Sequence, residues 1–374
     1  MKVLQILPEL NSGGVERGTL EVSKHLVDNG HESLVISNGG RLVDALVARG
    51  ARHITLPVHR KHLASFLQVS HLRRVLETER PDILHIRSRV PGWLAWLAWR
   101  QLPKATRPHL VSTVHGFYSV NLYSSIMTRG EHVIAVSESV RAYVLNNYRN
   151  VPSGKLTAIH RGVDPADYSP SFRPAPDWMQ TWRDTHPALD GKIVLLLPAR
   201  LTRWKGQEDF LQLVASLKKT GLPVHGLLVG EAHVHKKEFE EELRQLARKL
   251  EIESDVSFLG HRQDLREIMH VSSFVFSLSN TPEAFGRVSL EAMALGKPVI
   301  AYDHGGVGEQ LRAHFPEGLV PPGDVERACA CVRDLLARPS CPRPLRPEFT
   351  LQHMLEATMG VYRQLLQPST ARES

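Results

Sequence analysis

Two carboxylates, Glu283 and Glu291, fall within Ser279-Asn280-Thr281-Pro282-Glu283-Ala284-Phe285-Gly286-Arg287 and the run that follows it to Ala301. The mostly apolar stretch Phe274 to Leu278 predicts a strand, which Thr281 and Pro282 end. Val288, Met293 and Leu295 then follow a helical pattern that Gly296 stops, with Pro298 beyond it. Glu283 is expected just before that helix and Glu291 about two turns into it. A rise of 1.5 Å per residue then separates them by roughly 12 Å. The acid and base of a glycoside hydrolase stand about 5 to 9.5 Å apart, so this is a poor hydrolytic pair. The spacing suits two hydroxyl-bearing groups joined by a diphosphate.

Cations come from a second segment, Leu195-Leu196-Leu197-Pro198-Ala199-Arg200-Leu201-Thr202-Arg203-Trp204-Lys205-Gly206. Arg200 leaves a strand at its C-terminal end, where open α/β sheets bind ligands. Lys205 stands near the start of the next helix. Together they could neutralise a diphosphate, the arginine by its fork and the lysine as a point charge. A pair of surface cations is the plain alternative. Gly13 and Gly14 follow a strand and open a helix, so backbone N–H groups there can approach a phosphate, although a tight turn explains them as well. Gly305 and Gly306, in Asp303-His304-Gly305-Gly306-Val307-Gly308, are a second candidate cradle or a loop that needs positive φ. His115 ends the run Leu110 to Val114 and could hydrogen-bond a substrate; a satisfied structural histidine is the alternative.

These residues need parallel strands to hold them. Residues 3–7, a helical pattern and Ser33 to Ser37 make a βαβ unit, and apolar runs recur at Ile83 to Ile86 and Val133 to Val136. Prolines 165, 170, 174, 176 and 187 interrupt the alternation. It restarts at Ile193 to Leu197, Val224 to Val229, Val256 to Leu259, Phe274 to Leu278 and Val299 to Ala301. After a proline-rich stretch at 339–347, an amphipathic helix is expected near Leu351 to Leu366. The expected class is α/β with two Rossmann-like domains, 1–170 and 171–347, and a terminal segment 348–374.

The 374 residues carry a net charge of +7. Residues 1–170 hold 21 Lys and Arg against 13 Asp and Glu, an excess of +8, and the remainder balances to −1. A basic first half can meet anionic lipid, nucleic acid or a phosphorylated substrate. The cluster His59-Arg60-Lys61-His62 is a candidate for such a contact. Trp93, Trp96 and Trp99 recur every three residues, as in a core helix or one that touches a membrane. No apolar stretch has the length of a membrane span, and no signal-peptide core follows Met1-Lys2, so a cytoplasmic protein is expected. Cys329, Cys331 and Cys341 form no CxxC pair and are expected to be reduced thiols without a metal.

Gly13-Gly14-Val15-Glu16, Arg161-Gly162-Val163-Asp164, Arg200 with Lys205-Gly206, and Glu283 with Phe285-Gly286 and Glu291 resemble glycosyltransferase family 4 over nearly the whole chain. The resemblance implies the GT-B fold: two Rossmann-like domains facing an interdomain cleft, with the last helix crossing back to the first domain. It implies retaining, metal-independent transfer of a hexose from a nucleotide-diphosphate sugar, with UDP-hexose expected and no separate cofactor. By position, Arg200 and Lys205 would stabilise the departing diphosphate. Glu291 would bind ribose hydroxyls, and Glu283, beside Phe285 and Gly286, hydroxyls of the sugar. Gly13 and Gly14 would approach a phosphate, and His115 would lie near the sugar and acceptor. The chain is also similar to bacterial transferases that build the lipopolysaccharide core, which implies a glycan or glycolipid acceptor and a peripheral place at the inner face of the membrane. A soluble acceptor remains the alternative. A dinucleotide-dependent oxidoreductase is disfavoured by the missing GxGxxG. A scaffold or nucleic-acid binder would have no need of the phosphate-site residues.

Overall fold

The computed structural model describes every residue except 12, 61, 62, 150, 232–236 and 368–374. The chain makes two compact units. The first comprises Met1–Arg161 and the chain from Gln352 onward; the second is Gly162–Leu351. The change of unit falls within Arg161-Gly162-Val163-Asp164. Gly162 is required there, because a Cβ would lie 2.2 Å from the backbone of Thr350.

The first unit is built on seven parallel strands. In chain order they are β1 (Lys2–Ile6), β2 (Glu32–Ser37), β3 (Arg52–Thr55), β4 (Ile83–Ile86), β5 (His109–Val114), β6 (His132–Ala135) and β7 (Leu156–Ala158). Their spatial order is β3-β2-β1-β4-β5-β6-β7. The order reverses between β1 and β4, which pair in register from Val3↔Ile83 to Ile6↔Ile86. Strands buried on both faces favour the β-branched runs seen here, and β4 is buried throughout. Helix Gly14–Asp28 covers one face through Leu20, Val22 and Leu26. Leu7, Leu10, Val35 and Leu46 pack in the same core.

The second unit has six parallel strands: β8 (Ile193–Pro198), β9 (Val224–Val229), β10 (Val256–Gly260), β11 (Phe274–Ser277), β12 (Val299–Tyr302) and β13 (Leu319–Val320). Their order is β10-β9-β8-β11-β12-β13, so this sheet reverses between β8 and β11. Phe210 of helix Gln207–Lys219 meets Phe276 of β11 edge to face at 5.5 Å, closing the core beneath that reversal.

Helix Leu351–Leu366 covers the first sheet with Met354, Met359 and Tyr362, all buried. Tyr362 Oη lies 2.6 Å from His85 Nδ1, whose other ring nitrogen is 2.7 Å from Thr113 Oγ1. Burial, then the charges of Arg87 and Arg161, hold His85 well below the usual histidine range. It is therefore neutral, with one ring nitrogen donating and the other accepting.

The tryptophan stripe on helix Arg89–Gln101 is structural. Trp93 Nε1 donates to Tyr123 O at 2.8 Å and Trp99 Nε1 to Pro108 O at 2.7 Å. Arg129 lies over Trp93 and Trp96, and Arg107 over Trp99. With the Trp93 and Trp99 N–H groups satisfied and cations over all three rings, these half-buried indoles are engaged within the protein. In the basic cluster at 59–62, Arg60 Nε donates to His59 Nε2, while Lys61 and His62 lie outside the described residues. Among the described residues no helix is long and apolar enough to cross a membrane.

Candidate active site

In the second unit the chemistry gathers at the C-terminal ends of β8 and β11, where the strand order reverses and open α/β sheets place their ligands. Lys205 Nζ and Glu283 Oε1 are 2.8 Å apart, both side chains largely buried. Ser279 Oγ donates to the same Glu283 oxygen. Lys205 also lies 4.2 Å above the Trp204 ring, a cation–π contact that fixes its approach. A small pocket is lined by Lys205, Ser279, Glu283, Gly286, Arg287 and Ser289.

Glycines permit this convergence. Gly206 has φ +75°, and a Cβ there would meet Leu278 O at 1.9 Å. Asn280 N donates to Trp204 O at 2.8 Å, so the loops after β8 and β11 are joined backbone to backbone. Gly286 has φ +82° and sits against Val307. Gly305 and Gly306 pack onto the acidic loop: their Cβ positions would fall 2.4 Å from Glu283 O and 2.5 Å from Ala284 O. Gly306 N donates to Glu283 O at 2.8 Å. That first-turn amide of helix Gly305–His314 is engaged by the loop that carries Glu283. His304 Nε2 donates to Ser279 O at 2.7 Å and Gln310 Nε2 to Phe285 O, so the loop is held from several sides.

The helix after this loop is Arg287–Ala294 and starts later than the pattern predicts. Gly286 in the left-handed region is its N-cap, so Glu291 stands one turn into the helix and the loop spans the rest. The 12 Å estimate, which assumed helical rise throughout, does not apply. Glu291 is only 3% exposed, and Arg287 Nε lies 3.4 Å from its Oε1, one helical turn away. Arg287 escaped the sequence reading, although its position four residues before Glu291 was a usable signal. Ser279 and His304 escaped it because their partners are distant in sequence. Arg200 is exposed and is not among the pocket-lining residues; its carbonyl accepts from Gln207 Nε2 at 2.9 Å. The structure thus joins Lys205 to Glu283 and leaves Arg200 at the rim of the strand end. Phe285 is buried and stacks near Phe349.

In the first unit Gly13, with φ +147°, caps helix Gly14–Asp28, and both Gly13 and Gly14 are exposed. His115 follows β5 directly. Arg161 Nη2 lies 2.9 Å from His115 Nδ1. A guanidinium can only donate, so Nδ1 is the acceptor and the ring proton resides on Nε2. Burial, then Arg161, Arg87 and His85, keep the ring well below the usual histidine range. His115 is a neutral imidazole that presents a buried Nε2–H.

The description "Glycosyltransferase Family 4" matches residues 12–167, and "Glycosyl transferases group 1" matches residues 179–349. Putative glycosyltransferase EpsD of Bacillus subtilis is 27% identical over 344 residues, 85% of each chain. N-acetyl-alpha-D-glucosaminyl L-malate synthase of Bacillus anthracis is 27% identical over 322 residues, 82% of this chain and 79% of that one. A glycosyltransferase structure from Rickettsia africae superposes with a TM-score of 0.81 at 27% identity, covering 98% of this chain and 99% of that one.

Proposed function

Because the chain is a glycosyltransferase of the family-4 type with a GT-B fold, we propose that it moves a hexose from a nucleotide-diphosphate sugar to a cell-envelope glycan, with retention and without a metal. The observation that carries this reading is the Lys205–Glu283 pair, 2.8 Å apart at the strand-order reversal of the second sheet. Lys205 meets the negative charge that grows on the diphosphate as the glycosidic bond breaks, when such an interaction counts most. Arg200, at the rim, adds a second cation. Glu283, fixed by Ser279 and Lys205, accepts hydrogen bonds from sugar hydroxyls. Glu291, steadied by Arg287, accepts those of the ribose. His115 donates through Nε2–H to an oxygen of the sugar or acceptor. Gly13 and Gly14, both exposed at the start of helix Gly14–Asp28, offer backbone N–H groups to an approaching phosphate. No carboxylate here is assigned the part of a covalent nucleophile; the acceptor hydroxyl attacks from the face the diphosphate leaves.

Thermal unfolding with UDP-, GDP- and ADP-hexoses tests the donor. One series is expected to stabilise the protein by about 2.7 kcal/mol at a hundredfold excess over Kd. No response to any of them, with a response to NAD instead, would move the chain to the oxidoreductases. The anomeric configuration of the product, read by NMR, tests retention; an inverted product rejects it.

The basic first half and the exposed apolar side chains Phe66, Leu67, Val120 and Leu122 support an acceptor held at an anionic membrane, with the lipopolysaccharide core as one such acceptor. Sedimentation with anionic vesicles is expected to be salt-sensitive. The absence of binding would favour a soluble acceptor, the reading supported by the Bacillus anthracis relative, whose name carries L-malate.

A further inference from the structure

The first sheet has its own reversal, between β1 and β4, and its polar groups do not balance. Arg87 leaves β4 at that point and is only 1% exposed. Its Nε donates to Gln5 Oε1 on β1 at 2.6 Å. Gln5 Nε2 is spent on Ser23 Oγ and Thr19 O. Both terminal nitrogens of Arg87, Nη1 and Nη2, are buried without a hydrogen-bond partner, and so is His115 Nε2 on the neighbouring strand end. Arg161, 8% exposed, is bonded to His115 and packs against Gly18 of the first helix.

Each unpartnered atom in this cluster is a donor. The Nη groups can only donate, and the His115 tautomer set by Arg161 makes Nε2 a donor too. Two guanidiniums share the cluster. The charge of Glu21, which pairs with Arg17, reaches Arg87, but among the described residues no carboxylate lies within ion-pair distance of it. A buried charge without a direct ion-pair partner is costly, and buried donors are rarely left idle. The complement of a donor-only, cationic cluster at a strand-order reversal is a ligand that only accepts and carries negative charge.

We propose that Arg87, with His115 Nε2–H and Arg161 beside it, forms an anion site in the first unit that takes a phosphate or carboxylate group of the acceptor. Assigning the anion to the acceptor rests on the transferase reading; the anion site itself does not. The acceptor class that follows is a sugar, polyol or hydroxy acid bearing a phosphate or carboxylate near the hydroxyl that is glycosylated.

The test titrates the full-length chain with inorganic phosphate, and separately with acetate, while saturating UDP occupies the donor site. Wild type is expected to show a saturable rise in Tm. Arg87→Met, of similar length and without charge, is expected to weaken phosphate binding at least tenfold. Its Tm without phosphate should be unchanged or higher, because it loses one hydrogen bond to Gln5 but removes a buried charge that has no direct ion-pair partner. Its response to UDP should match wild type. Should Arg87→Met not fold, Arg87→Lys keeps the charge, loses the fork, and is expected to bind phosphate about tenfold more weakly. A wild-type chain indifferent to both anions would mean the cluster holds water only and would overturn the proposal. So would a variant that still binds phosphate normally. Loss of the UDP response in wild type would instead count against the transferase reading. With a glycosylatable acceptor in hand, a phosphate-bearing compound and its dephosphorylated form should differ in KM for wild type and converge for Arg87→Met. Equal KM values in wild type would assign the site to free phosphate and overturn its assignment to the acceptor.

Discussion

Lys205→Ala is expected to lower kcat by about 10²- to 10³-fold, roughly the 2.7–4 kcal/mol that one well-placed electrostatic contact supplies in a preorganised site. The side chain is largely buried, lies 2.8 Å from Glu283 and rides on the Trp204 ring, so its charge is already positioned before the bond breaks. Folding should suffer as well: the substitution leaves Glu283 largely buried with Ser279 as its remaining donor, at a cost of about 1–3 kcal/mol. Steady-state kinetics with saturating donor, beside a urea titration, separate the two effects. Lys205→Arg should recover part of the rate, because the charge returns in a bulkier, planar form. If the alanine variant kept kcat within about threefold, a loss under 1 kcal/mol, leaving-group stabilisation would not run through this residue.

The second large effect concerns stability. Tyr362→Ala should cost the first unit about 3–5 kcal/mol, the range for removing a fully buried aromatic side chain. Tyr362 meets His85 edge to face at 5.7 Å and satisfies its Nδ1. Burial raises the phenol to about 12, so it stays protonated as a hydrogen-bonding group throughout the physiological range. Tyr362→Phe leaves the ring and removes the partner, for about 1–3 kcal/mol. Amide hydrogen exchange reads both changes locally. Protection in β4 and β5 should fall, while β8 and β9 in the other unit should hold. Equal loss in both units would show that the helix is not a component of the first unit alone.

The sequence disclosed the central strands because they are short, uninterrupted apolar runs: Ile83–Ile86 and Val224–Val229 stand where the pattern places them. Arg52–Thr55, Leu156–Ala158 and Leu319–Val320 did not stand out. All three lie at sheet edges and are too short or too polar for periodicity, and pairing with a neighbour is what makes them strands. Lys205, Glu283 and Glu291 were legible as residue types at meaningful positions, but the contact between Lys205 and Glu283 was not, since loop closure depends on Gly206 meeting Leu278. Arg87 was invisible for a different reason. An arginine after a four-residue strand reads as a surface charge; only the sheet order reveals that it is enclosed.

The route of the chain has a consequence for synthesis. The second unit is one uninterrupted segment, whereas the first is completed only by residues that follow it. On the ribosome, the nascent β4–β5 face waits uncovered, with His85 lacking its phenolic partner, until the 248 residues from 115 to 362 have been translated. Chains arrested before residue 352 would therefore display an unfinished apolar surface, the kind that engages holdase chaperones.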